Sequence, residues 1–244
     1  MMDIINILLR TFEQGVIDQN FKGDFFEGKI PLFVAFLVGI AIVGYLIGSA
    51  NFGIIISKLK GNDIRNFGSG NAGATNMSRV FGMKIAILTF ACDAIKTVIA
   101  TLIGIILVGS LGGFVGGFFT IAGHAFPAYF KFRGGKGIAC LATLVFITSP
   151  ICFFVLLAIY LVLLFGFKMV SFASIMTTII YPFMLSLING YGLQIIVALA
   201  ISILVVFLHR ENIARIFNHE EPKINLGKKK KQVEREIADE NSQE

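Results

Sequence analysis

Three polar segments interrupt an otherwise apolar sequence, and each contains residue types that bind phosphate groups. The first segment, residues 61–79, reads GNDIRNFGSGNAGATNMSR. Glycines let backbone amides approach an anion closely, hydroxyl and amide side chains supply fixed dipoles, and an arginine binds a phosphate through two oxygens. These features favour an anion-binding loop over an ordinary connection between helices. The predicted ligand residues of this segment are Gly68, Ser69, Gly70, Asn71, Gly73, Thr75, Asn76 and Arg79.

The second polar segment, residues 123–137, reads GHAFPAYFKFRGGKG and ends in a glycine-rich run around one lysine. It is not a Walker A loop, because glycine rather than serine or threonine follows the lysine. An apolar helix is predicted to begin just after it, which would place helix-terminal amides beside Lys136 and form an anion site. The alternative is a basic anchor on the cytoplasmic side of the membrane. The predicted phosphate-binding residues are Gly134, Gly135, Lys136 and Gly137.

The third polar segment, residues 209–223, reads HRENIARIFNHEEPK. His209 and Asn212 are three residues apart, so a helix places them on one face. Arg215 adds a third cation to those of the first two segments. The pattern is also typical of an interfacial helix whose basic side chains extend toward water, and the residues alone leave both interpretations open.

The elements that must position these segments are membrane helices. The chain has 244 residues, of which 56% are hydrophobic and only 15% charged, and its mean hydropathy is +0.81. This composition excludes a disordered chain and a disulfide scaffold and predicts an integral membrane protein. Between residues 31 and 208 there are ten basic residues against two acidic ones, Asp63 and Asp93. Such a shortage of acids suits an anionic substrate.

Six apolar stretches are candidates for membrane spans, and the distribution of Lys and Arg predicts their topology. The basic clusters all lie on the cytoplasmic side only if residues 138–167 form a hairpin that breaks near Pro150. The prediction is an all-α protein of seven transmembrane helices, one of them short, with the N-terminus outside and the C-terminus cytoplasmic. All three polar segments then face the cytoplasm. The remaining predicted spans are 31–56, 84–109, 111–130, 170–188 and 192–208.

Several polar residues inside or beside the spans are predicted to be structural. Asp93 and Lys96 lie one helical turn apart in the second span, so we expect a buried pair that fixes helix packing. His124 is interpreted as a structural hydrogen-bonding residue. We expect residues 1–30 to form an amphipathic extension outside the membrane. Residues 226–244 are expected to be a disordered cytoplasmic tail that either aids solubility or holds anionic lipid.

Taken together, the three segments resemble the bacterial acyl-phosphate:glycerol-3-phosphate acyltransferases, the PlsY-type integral membrane enzymes. The resemblance rests on GSGNAGATNMSR at 68–79, GHAFPAYFKFRGGKG at 123–137, and HRENIAR at 209–215 with the downstream EPKI. It implies seven spans in an acyltransferase domain, residues 31–225, and transfer of an acyl chain from acyl phosphate to glycerol 3-phosphate. His219 departs from the family, which usually has glycine there. By resemblance, the functional residues are Ser69, Arg79, Lys136, His209, Asn212 and Glu221, the last in a structural role.

The same resemblance implies the cell membrane as location, with the active site at its cytoplasmic face and membrane lipids as neighbours. No cofactor, metal or nucleic acid is expected. The sequence predicts neither the oligomeric state nor the acyl-chain length. A transporter or lipid scramblase for a phosphate-bearing substrate is the alternative, since short broken helices also line transport sites. We hypothesise that His209 orients a substrate with Asn212, while the acyl phosphate itself takes the proton.

Overall fold

The computed structural model describes residues 30–190 and 192–224, and within these ranges the chain is helical without a β-strand. The predicted N-terminal extension, apart from residue 30, and the predicted tail lie outside the described residues. The all-α class predicted from the sequence is confirmed. In chain order the helices are α1 Ile30–Ser49, α2 Phe52–Leu59, α3 Ala74–Phe81, α4 Met83–Ala125, α5 Ile138–Thr148, α6 Pro150–Phe167, α7 Val170–Asn189, α8 Leu193–Leu208 and α9 Arg210–Phe217.

Much of this helical structure is suited to a membrane. Four helical stretches in the described part of the chain are long and apolar enough to cross a bilayer, and α8 with α9 makes a fifth if that bent pair is one span. The angle between α8 and α9 is 57°. A helix needs about 20 apolar residues to cross a bilayer. The four stretches are Pro31–Leu59, Met83–Phe130, Pro150–Phe167 and Val170–Asn189.

Helix α4 is a hairpin of two arms rather than one rod. At Gly109 the backbone has φ 73° and ψ −155°, which is outside the helical region. The arms then pack backbone against backbone: a Cβ atom on Gly104 would lie 2.1 Å from the carbonyl oxygen of Gly112. Only glycine permits this approach. The break agrees with the sequence prediction of two spans separated near Gly109.

Small residues also join α1 to the second arm of α4. A Cβ atom on Gly44 would lie 2.7 Å from the Gly116 carbonyl oxygen, and one on Gly48 would lie 2.3 Å from that of Thr120. The Thr120 hydroxyl donates to the Gly44 carbonyl at 3.2 Å. In lipid, close approach of this kind replaces the hydrophobic effect as the source of helix association.

Two predicted spans are interrupted in the structure. The predicted span 31–56 falls within the apolar stretch Pro31–Leu59, which consists of two helices, because α1 ends at Ser49 and the Asn51 side chain caps α2 by accepting from the Ile54 amide at 3.2 Å. The predicted break near Pro150 is present, since α5 ends at Thr148 and α6 begins at Pro150. Proline suits a first helical position because its missing N–H has no acceptor there.

Two apolar clusters hold the elements that carry the polar segments. The larger one joins α5, α6, α7 and α8 to the second arm of α4 around Leu144, Tyr181 and Ile201. The smaller one lies beneath the first polar segment, which it fixes to α2 and to the start of α4. Its buried members are Ile54, Ile64, Ala72, Met77 and Ala86.

Candidate active site

A polar cavity of about 630 Å³ is lined by residues from all three polar segments, together with residues of α6 and α7. The spans therefore bring together segments that are far apart in sequence. Four of the predicted site residues do not line this cavity: Gly70, Lys96, Gly134 and Gly135. The predicted residues that do line it are Gly68, Ser69, Asn71, Gly73, Thr75, Asn76, Arg79, Asp93, His124, Lys136, Gly137, His209, Asn212, Arg215 and Glu221.

The first polar segment folds around a buried asparagine. Asn76 is 1% exposed, and its Nδ2 donates to the carbonyl of Phe67 at 2.9 Å. Its Oδ1 accepts from the Ser69 amide at 3.0 Å. The side chain of Asn76, predicted to bind substrate, is thus engaged in shaping the loop, and it is Ser69 and Arg79 that remain exposed at the cavity.

The glycine run of the second segment is arranged differently from the prediction. The amide of Gly134 donates to the Ala125 carbonyl at 3.0 Å, and that of Gly135 to the His124 carbonyl at 3.1 Å. These two amides are therefore occupied by backbone acceptors rather than directed at an anion. A Cβ atom on Gly135 would lie 2.2 Å from His124 Nε2, so glycine is required for packing at this position.

The end of the second segment presents both a cation and a helix terminus to the cavity. Lys136 is followed by Gly137, which has φ 76° and precedes α5. Ile138 and Ala139, the first residues of α5, also line the cavity. First-turn amides have no intrahelical acceptor and carry the positive end of the helix dipole, so this geometry suits an anion.

His209 lies between α8 and α9, where the chain bends into the cavity wall. Its Nδ1 is 2.7 Å from the Val205 carbonyl oxygen. A carbonyl only accepts, so Nδ1 carries the ring hydrogen and Nε2 is left as an acceptor. Burial, with the charge of Lys136 nearby, lowers the pKa of His209 to about 4. The imidazole is therefore neutral at pH 7.

A chain of polar contacts links the second segment to the third. Lys136 Nζ donates to Asn212 Oδ1, and Asn212 Nδ2 donates to Glu221 Oε1 at 2.8 Å. The other carboxylate oxygen accepts from Arg215 Nε at 2.9 Å. The Glu221 carboxylate thus holds both the amide and the guanidinium.

Burial and neighbouring charges both shift the pKa values of groups in this network. Burial raises the pKa of Glu221, but the bonds from Asn212 and Arg215 outweigh it and hold that pKa below its usual value. Burial and the nearby charge of Arg215 lower the pKa of Lys136. Cations this close repel one another, so a bound anion relieves their repulsion.

Asp93, Lys96 and His124 form a buried cluster beneath the cavity, and each is at most 3% exposed. Lys96 Nζ lies 2.7 Å from Asp93 Oδ1 and 3.0 Å from His124 Nδ1. The same ammonium donates to the carbonyls of Gly48 and Ala50, where α1 ends. The cluster thus supplies hydrogen-bond donors to a broken helix end.

Arg65 is a site-forming residue that the sequence analysis missed. Its Nη1 donates to the carbonyls of Phe130 at 2.8 Å and Arg133 at 3.2 Å. Asp63 holds the guanidinium through two oxygens, at 2.9 and 2.6 Å, and this contact lowers the pKa of Asp63. The pair ties the first polar segment to the second. The Asp-x-Arg spacing is a recognisable capping pattern, but its carbonyl partners are visible only in the fold.

A second, apolar cavity of about 280 Å³ adjoins the polar one. Phe90, Ile138 and Tyr160 line both cavities, so the two lie side by side. The apolar cavity is lined by residues of α4, α5, α6 and α7. No polar motif marks it, and sequence reasoning had no signal for it because its lining residues are ordinary membrane-helix residues.

The described residues contain no group of three or more His, Cys, Asp or Glu side chains placed to hold a metal ion. Cys92, Cys140 and Cys152 are free thiols, and the last two are buried. The polar cavity offers cations, amides, hydroxyls and the neutral imidazole of His209, beside the ring of His124 and the carboxylates of Asp93 and Glu221. Such a set can bind phosphate groups and orient a hydroxyl nucleophile.

Comparison with known proteins identifies the family. Residues 38–219 match the family profile described as glycerol-3-phosphate acyltransferase. The glycerol-3-phosphate acyltransferase of Thermoanaerobacter sp. (strain X514) is 41% identical over 185 residues, which cover 75% of this chain and 93% of that protein. That of Bacillus subtilis (strain 168) is 38% identical over 187 residues, covering 75% and 95%.

Two solved structures are similar in fold as well as sequence. One is PlsY (YgiH), an integral membrane glycerol 3-phosphate acyltransferase, in its glycerol 3-phosphate form, with a TM-score of 0.73 and 36% identity over 78% of this chain and 96% of that one. The lysophosphatidic acid form gives a TM-score of 0.71 and 35% identity, covering 78% and 95%. A relationship over this length and at this identity establishes that the chain belongs to the glycerol-3-phosphate acyltransferase family.

Proposed function

We propose that this chain transfers a fatty acyl group from acyl phosphate to the sn-1 hydroxyl of glycerol 3-phosphate, forming lysophosphatidic acid and inorganic phosphate. Family membership supports the reaction class and a role in phospholipid synthesis. The similar solved structures, in glycerol 3-phosphate and lysophosphatidic acid forms, support the acceptor and the product. The acyl phosphate donor follows from the resemblance to PlsY-type enzymes.

The observation that carries this proposal is the convergence of three cations on one cavity. Arg79, Lys136 and Arg215 come from three separate segments of the sequence, and all line the polar cavity. Both substrates carry phosphate groups and repel each other, and fixed cations offset that repulsion. The carboxylate of Glu221 is engaged by Asn212 and Arg215 and does not present a free negative charge.

The reaction itself needs few groups, because acyl phosphate is a mixed anhydride with a good leaving group. The sn-1 oxygen attacks the acyl carbon, and the bond from that carbon to the phosphate oxygen breaks. The hydroxyl proton passes to a phosphate oxygen, so inorganic phosphate leaves as the protonated product. Atoms and charges balance without a cofactor or an external base.

In this scheme the polar side chains orient rather than react covalently. Neutral His209 accepts a hydrogen bond from the glycerol hydroxyl through Nε2, because Nδ1 is occupied by Val205. Asn212 holds Lys136 in position. Ser69 donates to a phosphate oxygen rather than forming an acyl-enzyme. Trapping an acyl group on Ser69 would contradict this role.

The three lining residues that the two cavities share support a division of the donor between them. The phosphate and the acyl carbon would lie in the polar cavity, and the fatty chain would extend past Tyr160 into the apolar one. Relative to water, burying methylene groups there contributes about 0.8 kcal/mol each. The acyl carbon would then lie where the two cavities meet, with the phosphate on one side and the fatty chain on the other.

We further propose seven membrane crossings, in an acyltransferase domain of residues 31–225 in the cell membrane. The two arms of α4 and the α5–α6 hairpin supply four of them, and α1, α7 and α8 supply three. The excess of Lys and Arg in the polar segments supports a cytoplasmic active site, an external N-terminus and a cytoplasmic C-terminus. Cysteine-accessibility labelling of exposed loop positions from each side of sealed vesicles tests this topology.

The decisive experiment is a two-substrate assay on purified protein in lipid. Phosphate release and lysophosphatidic acid formation should both require acyl phosphate together with glycerol 3-phosphate, and acyl thioesters should not replace the donor. Movement of a phosphate-bearing substrate across vesicle membranes without ester formation would contradict the proposal and favour a transporter. An Arg79→Met variant should lose the activity while retaining the fold.

A further inference from the structure

The apolar cavity has a defined depth along the helices that line it. On α5 its lining runs from Ile138 to Val145, and on α6 from Tyr160 back to Phe153. Each interval is seven residues, which corresponds to about 10 Å at 1.5 Å per residue. Ile138 and Tyr160 are also the residues shared with the polar cavity. The cavity therefore begins at the polar cavity and extends about 10 Å along these helices.

The far end of the cavity is closed by buried side chains. Val145 and Tyr181 are 2% and 1% exposed. Phe90 and Leu157, by contrast, are 46% and 36% exposed on the outer face of the protein. The cavity is thus open along one side, from which a lipid-like molecule can enter, and closed at its deep end.

We infer that the side chains in the deep half of this cavity set the acyl-chain length that the enzyme prefers, an inference that rests on the proposed function. The acyl carbon must stay in the polar cavity to react, so the chain has a fixed starting point. Methylene groups that reach space between Ala142 and Phe153 gain burial, and those that meet the closed end do not. The depth of the cavity, measured from the reacting carbon, then determines the preferred chain length.

Two substitutions should move this preference in opposite directions. Ala142→Phe fills the cavity midway along α5, and Phe153→Ala enlarges its deep end. The measurement is the ratio of kcat/KM for decanoyl phosphate to that for hexanoyl phosphate, because an extended dodecanoyl chain is already longer than a cavity about 10 Å deep. Each methylene that gains or loses burial changes the rate constant about fourfold. We expect Ala142→Phe to lower the ratio at least about fifteenfold, for two excluded methylenes, and Phe153→Ala to raise it at least about fourfold.

Neighbouring residues on the outer face of α6 provide matched controls. Phe165 is 59% exposed and Ala158 is exposed, and neither lines the cavity. Phe165→Ala and Ala158→Phe should leave the ratio unchanged. The KM for glycerol 3-phosphate should not change in any of the four variants. If Phe153→Ala does not fold, Phe153→Leu provides a milder enlargement with the same direction.

The outcomes separate this inference from the proposed function. A wild-type protein that forms no lysophosphatidic acid from acyl phosphate would overturn the proposed function. An active wild type whose ratio is unchanged by both cavity variants would overturn the inference alone. Equal changes in the cavity variants and their controls would also overturn it, because the effect would then belong to the bilayer-facing surface.

Discussion

Replacement of His209 tests whether this residue acts as a base or as an orienting group. We predict that His209→Gln lowers kcat/KM by about 10- to 100-fold and leaves the pH profile unchanged. The structure leaves Nε2 as an acceptor, since Nδ1 donates to the Val205 carbonyl at 2.7 Å. Glutamine retains an acceptor but lacks the fixed ring, so orientation is weakened rather than abolished.

The expected 10- to 100-fold loss in kcat/KM follows from two costs of replacing the ring. Loss of one neutral hydrogen bond costs about 0.5–1.5 kcal/mol, or up to roughly tenfold in rate. Misplacement of the nucleophile by about 1 Å costs up to about 100-fold. General-base catalysis would contribute about 10²–10⁴ and works best with a pKa near the operating pH. Burial lowers the pKa of His209 to about 4, which makes it a poor base.

The assay is steady-state release of phosphate between pH 5 and pH 9, with binding of each substrate measured separately. The inflection that the substrate phosphates give at about pH 6 should be the same in the wild type and in His209→Gln, because His209 stays neutral until the pH falls toward 4. His219→Ala is the matched control, since His219 is exposed and does not line the cavity. A loss above about 100-fold in turnover with intact binding would refute the orienting role and favour a base.

Three further changes test the surrounding geometry. Lys136→Met should raise the KM for glycerol 3-phosphate by about 10- to 100-fold in steady-state kinetics, since a hydrogen bond to a charged group contributes about 1.5–3 kcal/mol; an unchanged KM would place the phosphate elsewhere. Arg65→Lys should raise the same KM up to about tenfold by releasing the carbonyls of the second polar segment, and kinetics equal to the wild type would contradict this. Gly135→Ala should lower Tm in a thermal-shift assay by several degrees, because overpacking against the fixed His124 ring costs about 1–3 kcal/mol. Gly166→Ala, with open space around it, should not lower Tm.

The sequence was sufficient to predict the broad architecture and the three segments that meet at the polar cavity. Polar side chains are costly in lipid, so runs such as residues 68–79 stand out against apolar helices. The break at Pro150 and the turn at Gly109 were predictable for a related reason, because proline and glycine limit helix continuity locally. Each of these features is visible within one segment of the sequence, without knowledge of the fold.

What the sequence did not reveal depends on which atoms meet across the fold. Asn76 is typical of a ligand-binding residue, yet its amide is occupied by the loop that surrounds it. The amides of Gly134 and Gly135 are likewise occupied by carbonyls at the end of α4. The apolar cavity arises where four helices leave a gap, and a gap has no residue pattern of its own.

The contact between Lys96 and the end of α1 has a consequence for how the protein enters the membrane. A lysine or aspartate at the centre of a helix opposes insertion by about 2.5–3.5 kcal/mol when it enters lipid alone. Lys96 meets Asp93 within its own helix, and its other partners are His124 and the carbonyls of Gly48 and Ala50 at the end of the preceding helix. Insertion of the helix that carries Lys96 is therefore least costly when the preceding helix already lies beside it, which favours entry of the two into the bilayer as a pair.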